Sequence, residues 1–67
     1  DDKMFQITLK AARVNAGLTI KQAAARLGIG KDKLMAWEKD PGRVEFRYQK
    51  VISDAYKAPI DVIFFGS

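Results

Sequence analysis

Lys31, Asp32, Met35 and Ala36 recur at helical spacing near the middle of this chain, and as a set they could read base edges in a DNA groove. A lysine ammonium donates to guanine O6 and N7. A carboxylate accepts from cytosine N4. A methyl or thioether group touches the thymine methyl. Asp32 also repels nearby phosphates, so its contribution has two signs. Six further residues suit the phosphate oxygens beside such a groove: Thr19, Lys21, Lys33, Lys39, Arg43 and Arg47. Most of them flank expected helix ends, and the backbone N–H groups at helix starts also attract phosphate. The competing reading of all ten is an ordinary solvated surface, so the elements that hold them must decide.

Other chemistries are poorly served. The chain has no Cys and no His, which removes disulfides, thiolate metal sites, the usual general base and the usual zinc ligand. Gly28-Ile29-Gly30-Lys31 looks superficially like a phosphate loop. However, Ala25 stands where its first glycine should be, and Asp32 replaces the magnesium-binding Ser or Thr. No Ser-His-Asp set is present. Glu38, Asp40 and Glu45 have no recognisable active-site partner. The expectation is a chain with no catalytic residue, no cofactor and no metal. No apolar run is long enough to span a membrane, and no signal-peptide pattern precedes the domain, so a cytoplasmic location is expected.

The positioning elements are legible as helices. Thr19 and Gln22 have the spacing of a capping box, which starts a helix at Ile20. Gly28 can take the left-handed conformation that ends it. A second helix should start near Gly30 or Lys31 and bury Leu34 and Trp37. Ala23, Leu27 and Ile29 should also point inward, with the small Ala24 where the two helices cross. Burial of Trp37 competes with base stacking and is favoured, because Trp37 shares a face with Leu34. Two short helices joined by a tight Gly-containing turn form a helix-turn-helix, the commonest device for placing a helix in a major groove.

Around this pair, a first helix is expected from about Gln6 to Asn15, ending at Gly17. Phe5 to Leu9 alternates, but the run is short and leads into that helix. Asp40-Pro41-Gly42-Arg43 is a turn. A fourth helix should run from about Glu45 to Tyr56, burying Phe46, Gln49, Ile52 or Ser53, and Tyr56. Pro59 should open a short last helix, Ile60 to Phe64, ended by Gly66. The fold class is all-α, a single domain over 1–67 with about five helices and the helix-turn-helix at about 20–38.

Net charge is +4 over 67 residues. From Lys10 to Lys50 there are ten Lys or Arg against four Asp or Glu, so the two ends together are net negative. The positive charge surrounds the helix pair, as a polyanion partner requires.

The spaced residues resemble a known family. Leu9-Lys10-x-x-Arg13, Gly17-Leu18-Thr19, Ala24-x-x-Leu27-Gly28-Ile29, Leu34-x-x-Trp37-Glu38 and Ile60-Asp61-x-Ile63-Phe64 look like the Cro/phage-repressor helix-turn-helix family. It is also called the xenobiotic-response-element or lambda-repressor-like family. The likeness runs from about Leu9 to Phe65. It implies a compact five-helix domain that binds a near-palindromic operator in double-stranded DNA, usually as a homodimer. Lys31 to Trp37 would then read the major groove. It also pairs Arg13 with Glu38 as an ion pair under the motif. Two positions depart from the family pattern: Ile20, where many members carry a phosphate-touching Gln, and Gly30, where many carry a capping Ser or Thr.

The implied function is a sequence-specific transcriptional repressor or regulator of bacterial or phage type. The rival is a protein-interaction module, or an antitoxin that binds both a protein partner and DNA; Ile20 slightly favours it. A weak homodimer is expected through the last segment. There Ile60, Ile63 and Phe64 should pack inward, leaving Val62 and Phe65 as an exposed patch. The alternative is that Phe65 folds back onto the fourth helix.

Overall fold

The computed structural model describes residues 6–66, so Phe5 lies outside the described residues. Among these residues four α-helices follow one another with no strand. They are α1 (Leu9–Asn15), α2 (Ile20–Leu27), α3 (Lys31–Lys39) and α4 (Phe46–Tyr56). Two 3-10 turns, Pro41–Arg43 and Ile60–Val62, complete the chain. None of the helices is long and apolar enough to cross a membrane.

Local chemistry sets the ends of the first two helices. The Thr8 hydroxyl accepts from the Ala11 N–H and starts α1 there, three residues later than the sequence predicts. Ile7 is thereby left free of the helix. It pairs instead in parallel with Ile63: the Ile7 N–H donates to the Val62 carbonyl and the Phe64 N–H to the Ile7 carbonyl, both at 2.8 Å. The expected capping box is present on α2: Thr19 Oγ1 accepts from the Gln22 N–H, and Gln22 Oε1 accepts from the Thr19 N–H. Gly28 then turns the chain at φ +71, a conformation in which any Cβ would be strained.

Neither α3 nor α4 has a side-chain N-cap. Packing holds them instead. Leu34 and Ile52 are fully buried, each stabilising by roughly 1.5–3 kcal/mol, more than the ~1 kcal/mol of a typical cap. The core joins these two to Leu9, Ala23, Leu27, Trp37, Tyr56 and Ile63. Ala24 is buried, and α2 packs against both α3 and α4.

Three expectations fail in the C-terminal half. Phe46 is not a core residue: it is 85% exposed. At 3.6 residues per turn it lies about 120° around α4 from Ile52. The buried stripe is instead Tyr48, Ile52 and Tyr56, each four residues apart, with Tyr48 tilted against Trp37 at 5.2 Å between ring centres. The last helix is also absent. Pro59 opens only the Ile60–Val62 turn, because the chain must extend again for Ile63 and Phe64 to meet Ile7. Ile63 is buried as expected, Ile60 and Phe64 are exposed, and Phe65 packs against the core. Val62 is half-buried. The exposed pair is therefore Ile60 and Phe64, not Val62 and Phe65.

Candidate nucleic-acid interface

The α3 helix has two faces. Leu34 and Trp37 face the core, while Lys31, Asp32, Met35 and Ala36 are all exposed. Burial of Trp37 withdraws its ring from any base-stacking role. Gly30 caps α3 with backbone alone, so no side-chain oxygen occupies the N–H groups of its first turn.

A largely buried ion pair fixes α3 from beneath. Arg13 on α1 donates from Nε to Glu38 Oε2 at 2.6 Å and from Nη2 to Oε1 at 3.4 Å. Its Nη1 donates to the Leu18 carbonyl at 3.0 Å, tying the α1–α2 link into the same contact. Both side chains are 11% exposed. The planar guanidinium matches the carboxylate with two parallel bonds, a geometry lysine cannot supply.

Tyr56 lies in the same electrostatic neighbourhood. Its hydroxyl is buried and has no hydrogen-bond partner among the described residues. Its pKa is pushed up to about 12, first by loss of solvation and then by the Glu38 carboxylate, with Arg13 pulling the other way.

The phosphate candidates separate into three groups. Ala36, Lys39, Asp40 and Arg43 line one shallow hollow where α3 runs into the Pro41–Arg43 turn, which brings two cations to the edge of the exposed α3 face. Arg43 Nε is held by Asp40 Oδ2 at 3.3 Å, an exposed contact. Lys33 and Arg47 gather instead around the aromatic pair. Lys33 Nζ stands 5.5 Å from the Trp37 ring centre and 5.8 Å from that of Tyr48, and Arg47 lies 5.2 Å from the other neighbour, Tyr48. Arg47 Nε also donates to Glu45 Oε1 at 3.0 Å. Thr19 and Lys21 sit at the start of α2, both exposed. The Thr19 oxygen is already committed as a cap acceptor, leaving its O–H as the group that could meet a phosphate.

Tyr48 is the residue that sequence reasoning missed. It carries two cations and buttresses Trp37 from α4. Its four-residue spacing to Ile52 and then Tyr56 was the available signal.

Among the described residues, no group of three or more His, Cys, Asp or Glu could hold a metal ion. Comparison with protein-family models, curated proteins and solved structures finds no match to this chain.

Proposed function

We propose that this chain is a sequence-specific double-stranded DNA-binding domain of lambda-repressor-like architecture, acting as a transcriptional regulator of bacterial or phage type. The observation that carries the reading is the two-faced α3: one face seated on the core and braced by Arg13–Glu38, the other presenting Lys31, Asp32, Met35 and Ala36 to solvent. Such a helix is rigid enough to hold a register and polar enough to read base edges. Lys39 and Arg43 would neutralise a phosphate at the hollow beyond its end, and Thr19 and Lys21 one near the start of α2. Lys33 and Arg47, folded over aromatic rings, add positive field more than direct contacts. In this reading no side chain is catalytic, no cofactor is bound, and two copies of the domain occupy a near-palindromic site as a weak homodimer.

Fluorescence anisotropy against a random duplex at two salt concentrations tests the reading. Affinity should fall steeply as salt rises, because each phosphate contact releases counterions. Arg43→Ala should weaken all sequences alike and flatten that dependence. Lys31→Ala should relax preference at one position per half-site by about 1–3 kcal/mol. Salt-independent binding, or none, would overturn the reading. Phe46, exposed on α4, favours a second reading in which the domain docks on a protein, as an antitoxin does.

A further inference from the structure

A cavity of about 510 Å³ has no residue from α3 in its lining. It opens where α1, the last turn of α2 and the end of α4 come together. Ala12, Ala16 and Ala58 give it an apolar floor, and the polar side chains on it are Asn15, Arg26 and Lys57 apart from the Tyr56 phenol.

Two observations set these cations apart. Arg13, Arg43 and Arg47 each hold a carboxylate, whereas Arg26 has no ion-pair or hydrogen-bond partner among the described residues. Lys57 is the one described non-glycine residue with a left-handed backbone, at φ 54, where it caps α4. Glycine takes that conformation at lower cost and is the usual residue there. The negative ends of α1 and α4 account for a cation nearby. They do not account for placing it on a backbone that a side chain disfavours.

We propose that this cavity binds a small amphipathic anion, an alkyl or aryl carboxylate, with its apolar body on the alanine floor and its head group taken by Arg26 and Lys57. The volume suits a ligand of that size, and two cations lining the same cavity as the alanine floor match both halves of it. The cavity shares no residue with the α3 face, so this binding can be read whether or not the chain binds DNA.

Octanoate is the probe, octanol its neutral control, and the alanine methyl NMR signals the readout. Octanoate should shift Ala12, Ala16 and Ala58 saturably, and octanol should not. Arg26→Gln and Lys57→Gly should each weaken octanoate binding about tenfold. Lys57→Gly also relieves the left-handed backbone, so its thermal melt should match or exceed the wild type, separating lost binding from lost fold. Equal response to octanol, an unchanged affinity in both variants, or octanoate shifts confined to Met35 and Phe46 would each overturn the proposal.

Discussion

Two arginine–carboxylate pairs bracket the end of α3, and they are held in opposite ways. Beneath the helix, Arg13 and Glu38 meet through two bonds at 2.6 and 3.4 Å, nearly out of solvent, with the Leu18 carbonyl taking a third donor. Beyond it, Arg43 and Asp40 meet through one bond at 3.3 Å, with side chains 70% and 62% exposed. Only one residue, Lys39, separates the carboxylates, so sequence distance does not distinguish the pairs. Burial does. The inner pair cannot open without stranding a charge in the protein. The outer pair exchanges with water at little cost, so Arg43 can leave Asp40 for a stronger anion. One fastens the helix and the other stays available.

Removing one partner from each side gives the largest contrast. Glu38→Ala should cost roughly 3–5 kcal/mol in urea unfolding, because Arg13 is left uncompensated. Asp40→Ala should change stability by no more than about 0.5 kcal/mol. Similar losses in the two variants would erase the distinction.

The inner region can be sharpened through Tyr56. Its folded-state pKa of about 12 lies above the unfolded value of 10.0, so the folded state keeps a proton the unfolded chain gives up. This contribution to stability is fully present below pH 10 and falls as pH rises toward 12, at about 1.4 kcal/mol per pH unit. Tyr56→Phe should remove that part of the alkaline slope. Because the hydroxyl has no hydrogen-bond partner among the described residues, the change should be neutral or stabilising at pH 7. An alkaline melt with the same slope in both proteins would refute the assignment.

The outer region has its own fixed point at Gly66, which crosses the turn carrying Arg43. A Cβ there would stand 2.9 Å from Gly42 Cα, on a backbone at φ +97. Gly66→Ala should therefore cost about 1 kcal/mol or more and shift the Gly42 amide signal in NMR. An unperturbed Gly42 would show that the segment does not bear on the turn. The smallest expected effect is at the other end of α3. Gly30 has open space around its Cβ position and an ordinary extended backbone, so Gly30→Ser should add a side-chain cap. A gain of a few tenths of a kcal/mol in thermal melts is expected.

These contrasts follow the line between what the sequence reveals and what it conceals. Thr19, Gln22 and Gly28 act on backbone within a turn of themselves, so their roles can be read without knowing the fold. The exposed set on α3 is legible for a similar reason: Leu34 and Trp37 leave no doubt about which side is buried. On α4 the face through Phe46 continues into Gln49, Lys50 and Ser53, whereas Tyr48, Ile52 and Tyr56 recur every four residues. That spacing marks the buried stripe locally, but the contact of Tyr48 with Trp37 depends on how α4 packs against α3. The segment after Pro59 is hidden for a longer-range reason. Its extended form is set by Ile7, more than fifty residues earlier. The sequence likewise gives the types of the phosphate candidates but not that Lys33 and Arg47 lean onto aromatic rings.

The pairing of Ile7 with Ile63 has a mechanical meaning. The two segments run in the same direction, so tension pulling Gln6 backward and Gly66 forward slides one past the other along their lengths. The bonds between Ile7 and Val62, Phe64 and Ile7, and Gln6 Nε2 and the Asp61 carbonyl are then strained together, instead of peeling apart in succession. A load applied across the domain from its two flanks meets a shear clasp. Only when that clasp slips is force passed to the helices behind it, so α3 keeps its seat until the outermost contacts have failed.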